Sequence, residues 1–279
     1  MPDFHDIDSI EIRYSKYLVC FLDVLGFSDI VQSGQTELIQ SIYQKIHGHI
    51  DLARVIATNF TQSEPSTMEI ASDSVLIAVS VEREALVDKA EILFMDVARL
   101  QTNLASVGAL IRGGIAYGDL YLDLPKKIAV GPALVEAVQL EKEARFPRVF
   151  VSSNLANDIS GSKSQRLIST DKFWARDQVT HAYLDYLQIR LSDGLSWQAL
   201  RPMVEGMMVT LQQRDSKIRR SLILKRRFTS EYCISRFQKY ASEYPELSAY
   251  TDQLRNLSKD LQRKAAWCPP SFQSPITWK

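Results

Sequence analysis

Residues 17–30 read YLVCFLDVLGFSDI, and the interpretation of the whole chain starts from this stretch. The apolar run from Leu18 to Leu22 is typical of a strand buried on both faces of a sheet. Asp23 interrupts the end of that run, and Gly26 follows three residues later. A buried carboxylate is costly unless a partner cancels its charge, and a metal ion is the commonest partner able to do so. Asp23 is therefore either a metal ligand or a turn aspartate with a capping role.

A second carboxylate favours the metal interpretation. Residues 68–80 read MEIASDSVLIAVS, in which Asp73 lies between two apolar strand-like runs. This pattern predicts a hairpin with Asp73 at its tip. Two carboxylates on adjacent strands, completed by phosphate oxygens and water, suit Mg²⁺ or Mn²⁺ better than a cage made only of protein ligands.

Composition and charge narrow the class of protein. The 279 residues are 46% hydrophobic and 24% charged, which is typical of a globular protein with a full core. The formal net charge is zero, so we expect neither nucleic acid nor an anionic membrane as a partner. Three widely spaced cysteines predict neither a disulfide framework nor a zinc site. Residues 1–13 lack the pattern of a signal peptide, and no apolar run approaches membrane-spanning length, so we expect a soluble cytoplasmic protein.

The pattern of elements predicts one domain followed by an extension. Residues 1–16 are interpreted as a leader, and residues 17–195 as a domain in which strands and helices alternate. Ser28 or Asp29 is expected to cap the first helix. The predicted elements after it are helices to about residue 58, a helix over 82–104, a strand over 109–115, a hairpin arm over 119–130, a helix over 131–145, a strand over 148–152, a helix over 154–159, and strands over 167–169 and 182–189.

From residue 196 the chain changes character. Residues 196–279 are predicted to form a helical C-terminal extension with a proline-bearing tail. The extension carries the basic run SKIRRSLILKRR at residues 216–227. Because apolar residues are interleaved with the basic ones, we interpret this run as an amphipathic helix with a solvated basic face.

Four stretches, in this order, resemble the catalytic domain of class III nucleotidyl cyclases. They are FLDVLGFSDI at 21–30, EIASDSVLIAVS at 69–80, LIRGGIAYGDLYLD at 110–123 and AVGPALVEAVQLEKEARFPRVFVSS at 129–153. The similarity covers roughly residues 16 to 190 and is closest to the Pycsar-type pyrimidine cyclases of bacterial antiphage defence. The resemblance implies an α/β fold of ferredoxin-like α+β type, with a cyclase-like central sheet and flanking helices.

The resemblance also implies a set of site residues. Asp23 and Asp73 would hold two divalent cations, Mn²⁺ or Mg²⁺, with the Val24 carbonyl as a further ligand. Such a pair of ions can serve both ends of an in-line attack of the ribose 3′ hydroxyl on the α-phosphorus. Arg112 matches the family arginine that contacts the triphosphate, or is a solvated strand arginine. The β and γ phosphates are expected to lie on backbone N–H groups at a helix N-terminus, those of Leu25, Gly26, Phe27 and Ser28.

The positions that select the base differ from those of the better-known cyclases. Glu69 stands where adenylate cyclases have a lysine and guanylate cyclases a glutamate, and Ile128 stands where the family offers a polar side chain. Glu69 alone predicts GTP, or it is a solvent-facing strand residue. A carboxylate opposite an apolar wall also suits the N3–H of uracil or the amino group of cytosine. We therefore expect UTP or CTP ahead of GTP, and ATP last.

A second departure concerns the helix that begins at Gly131. Val135 and Gln139 occupy the positions where most family members carry an asparagine and a transition-state arginine. Losing such a contact costs orders of magnitude in rate. Either Lys126 or Lys127 takes over that role, or the domain is a non-catalytic nucleotide-binding module. The resemblance further implies a head-to-tail homodimer, in which the metal ligands of one subunit face Glu69 and Ile128 of the other.

Overall fold

The computed structural model describes residues 11–56, 67–159, 167–168, 182–212 and 220–267. The strands are β1 (Ser15–Val24), β2 (Thr67–Ala71), β3 (Ser74–Ser80), β4 (Ile111–Asp123), β5 (Ile128–Val130), β6 (Val149–Val151), β7 (Leu167–Ile168) and β8 (Ala182–Leu184). The helices are α1 (Phe27–Gln32), α2 (Thr36–Ile56), α3 (Leu86–Ala105), α4 (Pro132–Glu143), α5 (Ser153–Ile159), α6 (Tyr186–Leu191), α7 (Trp197–Gln212), α8 (Arg220–Tyr240) and α9 (Leu247–Trp267).

One central sheet organises these elements. Its strand order is β2-β3-β1-β4-β6-β8-β7, and β5 pairs with the far end of β4. Strand β1 is antiparallel to both β3 and β4, whereas β4 and β6 are parallel. The chain therefore has a mixed α/β fold with a central sheet and flanking helices, as the sequence predicts.

The alternation of side chains along β1 divides the core between the two faces of the sheet. Leu18, Cys20 and Leu22 are buried on one face together with apolar residues of α2 and α3. Val19 belongs to a smaller cluster with Ala133 and Ala137 of α4. Both faces of β1 are covered, which explains its continuous apolar run.

A second large cluster joins the sheet to the C-terminal helices. Phe150 of β6 and Tyr183 of β8 are buried in the same cluster as Met203 of α7, Phe228 of α8 and Leu254 of α9. The described residues after residue 196 form α7, α8 and α9, and these helices share a core with the sheet.

The largest correction to the predicted elements follows β8. A strand was expected over 182–189, but β8 ends at Leu184 and α6 begins at Tyr186. The side chain of Asp185 accepts a hydrogen bond from the backbone N–H of Gln188 at 3.2 Å and so caps the helix. The apolar run that follows is buried as a helix.

Other expectations concern the termini, the cysteines and membranes. Residues 1–10 of the predicted leader, residue 169 and the tail at 268–279 lie outside the described residues, as does Cys268. Burial raises the pKa of the Cys20 and Cys233 thiols, which fits small core residues. Within the part of the chain that the structure describes, no helix has both the length and the apolar character needed to cross a membrane.

Candidate active site

The register of the central strands places Asp23 between two polar partners. In the β1–β3 pair Asp23 lies opposite Ser74, and in the β1–β4 pair it lies opposite Arg112. Directly opposed residues in antiparallel strands have Cβ atoms about 5 Å apart, within reach of long side chains. The Nε atom of Arg112 donates a hydrogen bond to Oδ2 of Asp23 at 3.0 Å.

Asp73 occupies the tight turn between β2 and β3, as predicted. Its backbone carbonyl accepts a hydrogen bond from the N–H of Val24 at 3.1 Å, which ties the turn to the end of β1. The preceding residue, Ser72, has a positive φ of 59°. The hydroxyl of Tyr43 on α2 donates to the Ser72 carbonyl at 2.9 Å and holds the turn in place.

The two carboxyl groups lie close enough to influence each other. Burial raises the pKa of Asp23, the Arg112 guanidinium opposes that rise, and the charge of Asp73 together with a side-chain hydrogen bond to it raises the pKa further. The negative charges of these two half-buried carboxyl groups repel each other, and the Arg112 guanidinium offsets part of that repulsion. A cation between or beside them would relieve that repulsion.

Arg112 is not the solvated strand arginine that the sequence allowed. Its side chain is only 27% exposed. In addition to the hydrogen bond from Nε to Asp23, its Nη2 atom lies 2.7 Å from Oε1 of Glu141 on α4. Burial is the main cause that raises the pKa of Glu141, and the nearby charge of Arg112 opposes it. The guanidinium is thus held between carboxylates from β1 and α4.

One of the four backbone N–H groups predicted to bind the phosphates already has a hydrogen-bond partner in the structure. The N–H of Leu25 donates to the carbonyl of Leu110 at 2.8 Å and is not available to a phosphate. Phosphate binding by the backbone N–H groups of Gly26, Phe27 and Ser28 remains a prediction. Gly26 itself is the N-cap residue, at a φ of 79°, and α1 has no side-chain cap, so neither Ser28 nor Asp29 caps it. The left-handed backbone at this position favours glycine over other residues.

The positions predicted to select the base, Glu69 and Ile128, lie on β2 and β5, and Lys127, one of the two lysines predicted to replace the family arginine, lies in the turn before β5. Glu69 is exposed on β2, at the edge of the sheet. Lys127 is exposed in the turn between β4 and β5 and has a positive φ of 54°. Ile128 is half-buried and lies opposite Asp123.

The two faces of α4 differ in their exposure to solvent. Its buried side chains are those that contact the sheet, namely Ala133, Ala137, Leu140 and Glu141. Val135 is 66% exposed, and Gln139, one turn later, is exposed as well. Both side chains therefore point away from the core that α4 shares with β4.

Three residues at the site were missed by sequence reasoning. Glu141 lies in the stretch at 129–153 that was compared with the cyclases, so that resemblance was an available signal. Tyr43 contacts the turn through a hydrogen bond between residues 29 positions apart, and no local pattern marks it. Lys225 belongs to the basic run that was interpreted as solvated, yet it is half-buried near Asp23 and Arg112.

The side chains at the site fit divalent cations in part. Asp23 and Asp73 supply two hard oxygen ligands, the type that Mg²⁺ and Mn²⁺ prefer. Among the described residues there is no group of three or more His, Cys, Asp or Glu side chains suited to a metal ion. The remaining ligands would have to come from backbone carbonyls, water and phosphate oxygens, which is the usual way in which Mg²⁺ binds.

Comparisons with known proteins gave matches among solved structures alone. No protein-family model matches the sequence, and no curated protein matches it. The adenylyl cyclase CyaB from P. aeruginosa is 14% identical with a TM-score of 0.41, covering 63% of this chain and 95% of that one. The guanylyl cyclase domain of the RhoGC fusion protein from the aquatic fungus Blastocladiella emersonii is 12% identical with a TM-score of 0.42, covering 62% and 96%. The catalytic core of a rhodopsin-guanylyl cyclase with converted specificity, in complex with ATPalphaS, is 16% identical with a TM-score of 0.45, covering 62% and 97%.

Proposed function

We propose that this protein is a metal-dependent nucleotidyl cyclase that converts a pyrimidine nucleoside triphosphate to its 3′,5′-cyclic monophosphate and pyrophosphate. UTP is the favoured substrate and CTP the next. The observation that carries the proposal is that Asp23 and Asp73 lie close together: the N–H of Val24, next to Asp23, donates to the Asp73 carbonyl at 3.1 Å, and Arg112 donates to Asp23 at 3.0 Å. The class III cyclase resemblance of the same stretches supports it.

The proposed reaction places specific demands on these side chains. The 3′ hydroxyl gives its proton to solvent water, the bond from O3′ to the α-phosphorus forms, and the bond from that phosphorus to the bridging oxygen breaks, so that pyrophosphate leaves with the electron pair. Asp23 and Asp73, with the Val24 carbonyl, would hold divalent cations, Mn²⁺ or Mg²⁺, which stabilise the attacking oxygen and the leaving pyrophosphate. Arg112 would place positive charge beside the triphosphate, and Glu141 fixes the position of that charge through its 2.7 Å ion pair.

A head-to-tail homodimer belongs to the same proposal. Large apolar side chains are exposed on the β4–β5 turn, on β5 and on α4, namely Leu124 at 43%, Val130 at 39% and Val135 at 66%. A second copy of the chain would cover them and would bring its own Glu69 and Ile128 to the site.

We further propose that residues 17–195 are the catalytic domain, residues 196–279 its extension, and the product a second messenger in antiphage defence, as the resemblance implies.

Two alternatives follow from particular residues. Glu69 alone favours a guanylate cyclase. The exposed apolar Val135 and the uncharged Gln139 favour a non-catalytic nucleotide-binding module, because neither side chain can stabilise charge in a transition state.

The deciding experiment is to incubate the purified protein with equimolar ATP, GTP, CTP and UTP and Mn²⁺, and to identify cyclic products by mass. We expect cyclic UMP as the main product, and we expect Asp73→Asn to abolish it. Asp119→Asn is the matched control, because Asp119 forms a surface ion pair with Lys16 whose loss should cost little. Cyclic GMP would establish the guanylate cyclase alternative, and the absence of any cyclic product would leave the binding module as the better explanation.

A further inference from the structure

Lys225 lies on α8, outside the stretch that resembles cyclases. It was expected to lie on a solvated basic face, but Lys225, Arg226 and Arg227 are all half-buried. The carbonyl of Lys225 accepts the hydroxyl of Thr229 at 2.9 Å within the helix, so its backbone is part of the regular α8.

Phe228 fixes the direction in which this part of α8 faces. Its ring stacks on Phe146, with centroids 4.7 Å apart, and Phe146 follows the end of α4 by three residues. The centroid of the Phe228 ring also lies 5.4 Å from the guanidinium carbon of Arg148, the residue that directly precedes β6. Helix residues three apart lie on the same face, so Lys225 is one turn before Phe228 on the face turned toward the sheet.

The charges around Lys225 are those of the candidate active site. Burial lowers the pKa of Lys225, the nearby Arg112 lowers it further, and the charges of Asp23 and Asp29 raise it. These three neighbours come from β4, β1 and α1. The packing agrees with this placement. The backbone carbonyl of Arg148, whose guanidinium lies against Phe228, accepts the N–H of Gly113 at 3.1 Å, so this face of α8 lies beside the part of β4 that carries Arg112.

We propose that Lys225 binds the phosphates of the nucleotide, so that the C-terminal extension completes the active site. This inference rests on the proposed function. As O3′ bonds to the α-phosphorus and pyrophosphate leaves with the electron pair, the ammonium group remains protonated and donates hydrogen bonds to the phosphate oxygens. Lys225 thereby supplies the positive charge that Gln139 does not, and it does so from the chain that carries Asp23.

The test compares Lys225→Met, which keeps much of the side-chain length and removes the charge, with Lys225→Arg and Lys239→Met. Lys239 is an exposed residue on the same helix, roughly 21 Å further along its axis, and makes the same change in net charge. Two quantities are measured with Mn²⁺ present: the steady-state constants for UTP and the affinity for inorganic tripolyphosphate by calorimetry. Circular dichroism checks the folding of each variant, and Lys225→Gln replaces Lys225→Met if the latter does not fold.

We expect Lys225→Met to lower kcat/KM by about a hundredfold, with most of the loss in kcat, and to weaken tripolyphosphate binding about tenfold. Lys225→Arg should retain most of both, and Lys239→Met should match the wild type. Equal behaviour of Lys225→Met and Lys239→Met would overturn the inference while leaving the cyclase proposal intact, and so would a wild type that binds no tripolyphosphate. If no nucleotide is cyclised but Lys225→Met still weakens tripolyphosphate binding, the phosphate site stands and the cyclase proposal fails.

Discussion

Arg112 lies between carboxylates that come from different parts of the chain. It is bonded to Asp23 at 3.0 Å and paired with Glu141 at 2.7 Å, and the side chain of Glu141 is only 6% exposed. Removing the Arg112 guanidinium would leave the partly buried carboxylates of Asp23 and Glu141 without their counter-charge. The loss of one partner from a buried ion pair is far more costly than the loss of a surface pair.

We expect Arg112→Met to lower the free energy of unfolding by about 2 kcal/mol. Removing one partner of a fully buried ion pair costs about 3–5 kcal/mol, and the cost here is smaller because these groups keep some contact with water. Urea unfolding measures the change. The double variant Arg112→Met/Glu141→Gln should recover part of the loss, since the amide leaves no buried unpaired charge. An Arg112→Met protein as stable as the wild type would show that the ion pairs do not stabilise the fold.

His49 predicts a dependence of stability on pH. It is 3% exposed on α2, faces Asp96 and Arg99 of α3, and among the described residues neither ring nitrogen has a hydrogen-bond partner. Burial lowers its pKa below the ordinary 6.5, Asp96 opposes this, and Arg99 adds to it. The unfolded chain therefore takes up a proton that the folded chain resists, and stability falls as the pH drops below 6.5.

The measurement is the free energy of unfolding at pH 7, 6 and 5 for the wild type and His49→Gln. We expect a flatter profile in the variant, because glutamine does not titrate. Asp96 acts with the opposite sign, since its raised pKa makes stability fall as the pH rises above 3.8. Asp96 is present in both proteins, but it loses the nearby His49 charge in the variant, so the difference reports the titration of His49 together with its effect on Asp96. Parallel profiles would contradict the prediction.

At the scale of elements, the contact between α4 and β4 determines where Glu141 lies. A Cβ atom added at Gly114 of β4 would lie 2.3 Å from the Ala137 carbonyl oxygen and 2.4 Å from the Leu140 Cβ atom. The helix backbone can approach the strand this closely only because residue 114 has no side chain.

We expect Gly114→Ala to push α4 outward, to cost about 1–3 kcal/mol of stability and to weaken the pairing of Glu141 with Arg112. Gly118→Ala is the matched control on the same strand, because a Cβ atom there would lie 3.5 Å from that of Ala133, an ordinary contact. Thermal unfolding compares the two. Equal unfolding temperatures would show that the contact is looser than the structure indicates.

At the scale of the whole molecule, the C-terminal helices are part of the core. Asp185, 1% exposed at the start of α6, accepts hydrogen bonds from the Tyr232 hydroxyl at 2.7 Å and from Nε of Arg236 at 2.9 Å. These bonds join α6 to α8 beside the cluster that contains Phe146, Phe150 and Phe228. Separating the helices would expose that cluster to water.

A chain that ends at residue 195 should therefore be poorly soluble and should bind a hydrophobic dye, because the second core cluster loses one of its sides. Soluble yield, dye fluorescence and size-exclusion chromatography are the measurements. A soluble, monodisperse fragment with cooperative unfolding would show that residues 17–195 fold without the extension.

Local patterns in the sequence predicted most elements and part of the site. The apolar run before Asp23 and the two runs around Asp73 predicted the strands and the turn, because burial and turn chemistry act over a few residues. The strand expected over 182–189 was wrong beyond Leu184, since a single aspartate at 185 caps a helix whose apolar run also suited a strand. Leu25 was misassigned for a similar reason, because its hydrogen-bond partner, Leu110, is distant in the sequence.

The sequence by itself determined most of the strands and helices, and that Asp23 and Asp73 end or join strands. The tertiary structure alone decided that Asp23 pairs with Arg112, 89 positions away, that Glu141 holds the same guanidinium, and that Lys225 lies near Asp23 and Arg112. Strand register and helix docking bring distant residues together. These contacts depend on the packing of the whole core, and no local pattern of residues specifies them.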